Sequence, residues 1–274
     1  MPNLDSIKLC IPIRGDSPKE MMRKMDTSPE ADIFEIWLDS LKTPWDVSKK
    51  PLDESMMEKW WRRNIKEIVR HKKKPLIFVN KDEKERGSWK GSEKSRTGVL
   101  RQAALCGAEY IDIGVHAEKK WIKNVKADAK RSGLFMTESL NGKSEHLNGK
   151  SMECFSKIPQ WIISFHDFSG QPREKELKKI VEKMWKLGAD IIKIAVTPRS
   201  TADLKSLYSL ACWMRKKRKK YIVAGMGKYG KITRIFAEQF GSCIVYGARR
   251  KKEATAPGQL TGKELRMIWS IIQP

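Results

Sequence analysis

The chain has 274 residues, 40% of them hydrophobic and 32% charged; that suits a single α/β domain, and no apolar run approaches the ~20 residues of a bilayer span. Its 56 lysines and arginines outnumber 33 aspartates and glutamates, for a net charge of +23, a field that attracts anions; no aromatic-rich RNA motif accompanies the basic runs, so specific nucleic-acid binding is not expected. Five scattered cysteines with no Cys-x-x-Cys pair, and four histidines without ligand spacing, argue against a disulfide framework or a bound metal.

The N-terminus lacks the basic flank and apolar stretch of a signal peptide, so a cytoplasmic protein is expected. From there, short apolar runs read as strands at 8–13, 33–39, 76–81, 110–115, 161–168, 191–196, 221–226 and 243–247. Longer stretches between them have helical period. Leu177, Ile180, Val181, Met184 and Leu187 make one stripe; Leu204, Leu207, Ala211 and Met214 a second; Leu265, Ile268, Trp269 and Ile272 a third. Alternating strands and helices imply parallel strands with crossover helices. Eight repeats predict closure into a (β/α)8 TIM barrel, one domain over 1–274. The doubly wound alternative lacks its glycine-rich turn, since Gly15 stands alone after the first strand. One segment, at about 132–160, breaks the rhythm and reads as an insertion. Within it, 133–139 has the composition of an extra strand, and Leu140-Asn-Gly-Lys-Ser144 recurs as Leu147-Asn-Gly-Lys-Ser151, a turn-forming repeat.

In such a barrel the active site lies at the C-terminal ends of the strands, and side chains alternate between interior and helix layer. Lys193, inside Asp190-Ile-Ile-Lys-Ile-Ala-Val196, is therefore expected in the interior. Burial lowers an ammonium pKa and makes a nucleophilic amine, the basis of Schiff-base catalysis. His166, late in the preceding strand, suits proton transfer near neutrality. Glu35, Trp37 and Asp39 share a face by period two. Lys81 ends the third strand and Glu85 follows it. Arg234 follows Gly225-Met-Gly-Lys-Tyr-Gly230 and is placed to grip a carboxylate. Thr255-Ala-Pro-Gly-Gln259, after the eighth strand, is a loop that can close over a substrate.

Ser164-Phe-His-Asp-Phe168, Lys193-Ile-Ala-Val-Thr-Pro198, Met226-Gly-Lys-Tyr-Gly230 with Thr233-Arg234, Phe240-Gly-Ser242 and Ala256-Pro-Gly-Gln259, in that order, resemble type I 3-dehydroquinate dehydratase from Leu9 to the C-terminus, the insertion excepted. The resemblance implies a hydro-lyase of the shikimate pathway that converts 3-dehydroquinate, a small anionic hydroxy-keto acid, to 3-dehydroshikimate without metal or diffusible cofactor. It implies Lys193 as the imine-forming residue, His166 as general base and acid, and Glu85 as the carboxylate that supports the histidine. Glu35 is similar to a ligand for ring hydroxyls and Arg234 to a carboxylate clamp, with Lys81, Thr255 and Gln259 completing the binding set. A homodimer is implied by the resemblance alone. This chain departs from the family where arginine is usual, at Trp37 and Lys81, and where an acidic residue is common, at Gly114; Pro12 stands where some members have serine. Those departures keep two alternatives open: a related Schiff-base lyase or aldolase with another substrate, and a non-catalytic basic binding protein on the same scaffold.

Overall fold

The computed structural model describes residues 7–45, 53–141 and 158–272. Eight parallel strands, β1 (Lys8–Ile13), β2 (Ile33–Trp37), β3 (Leu76–Val79), β4 (Tyr110–Gly114), β5 (Gln160–Asp167), β6 (Ile191–Val196), β7 (Lys220–Gly225) and β8 (Ile244–Tyr246), form one sheet in the order β7-β6-β5-β4-β3-β2-β1-β8. The two ends of that order meet. Cys243 N donates to Tyr221 O at 3.0 Å, and Val223 N donates to the buried Ser242 Oγ at 3.0 Å. The sheet is thus a nearly closed (β/α)8 barrel whose last joint is made by one backbone bond and one serine hydroxyl.

Strand alternation sorts the side chains into two cores. The interior floor holds Cys10, Ile33, Ile77, Ile162, Ile191, Ile222 and Ile244. Two residues further along their strands come Glu35, Asp112, Ser164 and Lys193, and two further again Trp37, Gly114, His166 and Ala195. Polar groups therefore appear only above an apolar plug. The opposite parity, including Leu9, Ile11, Ile36, Ile111, Ile113, Ile163, Ile192 and Ile194, faces the helix layer.

Helices α1 (Pro18–Asp26), α2 (Glu54–His71), α3 (Glu93–Leu105), α4 (Lys119–Asn141), α5 (Glu174–Lys186) and α6 (Thr201–Lys216) follow strands β1 to β6, short helices α7 (Gly227–Gly230), α8 (Ile232–Ile235) and α9 (Ala237–Phe240) follow β7, and α10 (Gly262–Ile272) follows β8. The stripes bury as their spacing requires: Leu177, Val181 and Met184 on α5, Leu207, Leu210, Ala211 and Met214 on α6. Each such Leu, Val or Met side chain contributes roughly 2 kcal/mol of transfer free energy. Ser17, Asp53, Ser92 and Ser200 accept from backbone N–H groups at the starts of α1, α2, α3 and α6, which offsets unpaired donors there. No helix among the described residues is long and apolar enough to cross a membrane.

Three local expectations change. Strand β2 stops at Trp37, and a 3-10 turn over Leu38–Ser40 carries Asp39 off the shared face; its carboxylate instead accepts from Lys81 N and Ser88 N, both at 2.9 Å. Residues 133–139 continue α4 rather than forming a strand; Leu, Met and Glu there favour helix, and one Gly costs only ~1 kcal/mol. Ile272, counted in the third stripe, is 42% exposed because α10 ends there. Most of the repeated Leu-Asn-Gly-Lys-Ser motif lies outside the described residues.

Candidate active site

The C-terminal mouth of the barrel opens onto a pocket whose walls include Glu35, Trp37, Lys81, Glu85, His166 and Lys193. Lys193 is its centre. Register sets Lys193 beside Ser164 on β5 and Ile222 on β7. Its ammonium donates to Asp112 Oδ2 at 2.8 Å and Glu35 Oε1 at 2.9 Å, and lies 4.0 Å from the Tyr246 ring centroid. Both carboxylates are held from behind: Ser164 Oγ donates to Asp112 Oδ1 at 2.5 Å, and Trp37 Nε1 donates to Glu35 Oε2 at 2.8 Å.

This geometry corrects the expected direction of the Lys193 pKa. Burial alone would lower it, but Asp112 and Glu35 outweigh that and hold it above the ordinary lysine value. The resting residue is an ammonium in an ion-pair cage. Asp112 mirrors it: burial raises its pKa, while Lys193, Lys81 and His166 together bring it below the usual range.

His166 sits two residues beyond Ser164 on β5, on the same face as Lys193. Glu85 Oε1 accepts from its Nδ1 at 2.8 Å, so Nε2 carries the lone pair, with Lys81 Nζ 3.5 Å away. Burial and the Lys81 charge lower the imidazole pKa, and Glu85 only partly opposes them. The residue is a neutral base. Burial would raise Glu85, but Lys81, the His166 hydrogen bond and Arg96 hold it well below the carboxylate range.

Glu85 belongs to a 3-10 turn, Glu83–Glu85, capped by Asp82 and ended by Arg86 at φ 60°. Gly87 then passes so close to Lys81 that a Cβ there would lie 1.9 Å from Lys81 O, so only glycine lets the turn fold back. Gly114 matters for space: a Cβ would come 3.1 and 3.2 Å from the two Glu85 carboxylate oxygens. The missing side chain at Gly114 leaves room for Glu85.

Arg234, buried on α8, donates to Tyr246 O at 3.3 Å and, through Nη1, to Gly225 O. With no carboxylate contributing, burial lowers its pKa to about 10, leaving a buried cation without a counter-charge. Thr255 and Gln259 also line the pocket, and Gln259 Oε1 accepts from Thr255 N at 2.8 Å. Their loop is already docked over the mouth, since Gly227 N donates to Pro257 O at 2.8 Å. All eight site residues picked from the sequence thus border one pocket. Sequence reading missed Asp112, although the parity rule that turns Glu35 inward applies to it within Tyr110-Ile-Asp-Ile-Gly114. It also missed Tyr246, whose signal is spatial.

A sequence profile of the family described as Type I 3-dehydroquinase matches residues 9–139 and 149–274. The chain belongs to this family. It is 29% identical over 265 residues to the 3-dehydroquinate dehydratase of Methanocaldococcus jannaschii, covering 96% of this chain and 98% of that one. Against the enzyme of Methanococcus maripaludis it is 30% identical, covering 96% and 99%. A chloroplastic bifunctional 3-dehydroquinate dehydratase/shikimate dehydrogenase of Arabidopsis thaliana is 28% identical, and the match spans 96% of this chain but 36% of the plant protein. Among solved structures, the Geobacillus kaustophilus 3-dehydroquinate dehydratase superposes with TM-score 0.76 at 20% identity, covering 97% of this chain and 91% of that one; this likeness is one of fold. Family membership makes the chain a hydro-lyase that dehydrates 3-dehydroquinate, a small anionic hydroxy-keto acid, in the shikimate pathway.

Proposed function

We propose that this type I 3-dehydroquinase works through an imine between Lys193 and the substrate ketone, with His166 moving the proton. The observation that carries the reading is the buried Lys193 ammonium, 2.8 and 2.9 Å from two carboxylates and open to the same pocket as His166. A proton passes from Lys193 to Asp112 or Glu35, the amine adds to the ketone carbon, and loss of water leaves the imine. The imine draws electrons from the neighbouring C–H, so Nε2 of His166 removes that proton and leaves an enamine. The enamine expels the β-hydroxyl, which takes the proton from His166 and departs as water. A second water hydrolyses the product imine and frees Lys193.

In this reading Glu85 stabilises the imidazolium formed midway, as its 2.8 Å contact with Nδ1 allows. Arg234 takes the substrate carboxylate, Gln259 and Thr255 close the same side, and Glu35 and Lys81 face the ring hydroxyls. The chain works in the cytoplasm as a homodimer, a state that suits the exposed Ile232 and Phe236 of the α8 region and Met267 and Ile271 of α10; light scattering at twice the chain mass supports the dimer and at the chain mass removes it. Borohydride added during turnover should fix a covalent adduct on Lys193, located by peptide mass spectrometry. Turnover with no adduct at Lys193 would overturn the imine mechanism.

A further inference from the structure

Among the aromatic rings that line the pocket, Trp37 and Phe168 each have an arginine laid on them. The Arg14 guanidinium is 3.7 Å from the Trp37 ring centroid and the Arg86 guanidinium 4.2 Å from that of Phe168. The arginines are also joined, Arg14 Nη2 donating to the Arg86 carbonyl at 2.7 Å. On the reactive side, Trp37 is bonded to Glu35, and Phe168 stacks on His166 with ring centroids 5.9 Å apart and planes 11° apart. One continuous assembly therefore runs from Glu35 through Trp37, Arg14, Arg86 and Phe168 to His166. It links the loop after β1, the end of β2, the turn after β3 and the end of β5.

The arginines are used for their flat faces. Arg14 spends a donor on a carbonyl and keeps a buried Nε without a hydrogen-bond partner, and neither arginine lines the pocket. A guanidinium stacked on a ring is held there by charge and dispersion, and it fixes the ring's angle in turn. Trp37 stands where the family resemblance expects an arginine, so a hydrogen-bonding cation has given way to a braced aromatic plane. Such a plane cannot pair with a substrate oxygen. It can lie against the C–H face of a ring, while Glu35, Lys81, Arg234 and Gln259 take the polar substituents.

Resting on the dehydration reading, we propose that Trp37 and Phe168 are the specificity-determining walls that select an alicyclic ring over an open-chain hydroxy-keto acid, with Arg14 and Arg86 as the positioning residues that hold them. Two functions of Trp37 then separate. Its ring face acts on substrate binding, and its N–H acts on Glu35 and so on Lys193.

Steady-state kinetics with 3-dehydroquinate on Trp37→Phe, Trp37→Leu and Arg14→Ala tests this, with melting temperatures recorded for each. Trp37→Phe and Trp37→Leu should lose kcat alike, since both lose the N–H, whereas KM should rise about 10-fold in Trp37→Leu and stay within about 3-fold in Trp37→Phe. Arg14→Ala should raise KM about 5-fold with kcat within about 2-fold, and Arg14→Lys should recover part of that loss. KM unchanged in both Trp37→Leu and Arg14→Ala, with turnover retained, overturns the walls and leaves the imine mechanism standing. Absence of both turnover and adduct in the unsubstituted chain overturns the two together.

Discussion

At the residue scale the site is governed by which charges face each buried group. His166 is held neutral by burial and by Lys81, so the acid limb of the kcat profile should fall below the ordinary histidine value of ~6.5. Removing that cation in Lys81→Met should move the limb upward, toward more alkaline pH; a limb that stays put would detach Lys81 from the imidazole. Lys193 gives a second test, in stability. Its folded pKa is raised, so its contribution is complete below the unfolded value of ~10.4 and is lost only as pH climbs through the folded value, outside the working range. Asp112 and Glu85 are depressed; theirs is present above the unfolded values of ~4 and is lost as pH falls through the folded ones. In Lys193→Met, Asp112 loses the largest of the attractions that hold its pKa down, while the burial that raises it remains. That variant should be destabilised by about 3 kcal/mol at neutral pH, and the deficit should shrink as pH falls toward ~4 and the Asp112 carboxyl takes up a proton. Thermal melts at the two pH values read the difference directly.

At the element scale the turn after β3 is the least tolerant part of the site. It carries Lys81 and Glu85 within 3.7 Å of each other, with Gly87 folded back against the Lys81 carbonyl. Gly87→Ala must open that turn, so kcat should drop about 100-fold through misplacement of Glu85 beneath His166; an alanine variant of normal kcat would show that the turn does not set Glu85. Gly114→Asp should also lower kcat, because its carboxylate would collide with and repel that of Glu85. These elements also show what a sequence can reveal. The eight strands were legible because parity and burial coincide: Lys193 and His166 interrupt apolar runs at positions that must face inward. Asp39 was misassigned because period two persists in the letters for one step after the backbone has turned. Residues 133–139 read as a strand because Leu-Phe-Met is apolar in either structure, and a helix already begun at Lys119 decides the matter. Arg14 was invisible, since its role rests on a contact with Trp37 that no spacing encodes.

At the scale of the whole molecule, a net charge of +23 surrounds a pocket for an anionic substrate. The excess should steer substrate inward, so kcat/KM should fall as ionic strength rises past the point where the Debye length is ~10 Å, with kcat nearly constant. A kcat/KM insensitive to salt would make the charge irrelevant to catalysis. The joint between β7 and β8 adds a mechanical consequence. Strands β5, β6 and β7 are knitted by ladders six residues long, while β7 and β8 share one backbone bond and the Ser242 hydroxyl. Arg234 spans that weak joint, its guanidinium bonded to the Gly225 carbonyl on one side and the Tyr246 carbonyl on the other. The barrel should therefore breathe at this joint first, with the amide of Val223 exchanging its hydrogen faster than amides of β6. A ligand anion seated on Arg234 would tighten the same clasp, so occupancy of the pocket should be felt as slower exchange along the joint. Lys193, the proposed imine former, thus stands on the stiff side of the ring, and Arg234, the proposed clamp for the substrate's charge, doubles as the latch on its soft side.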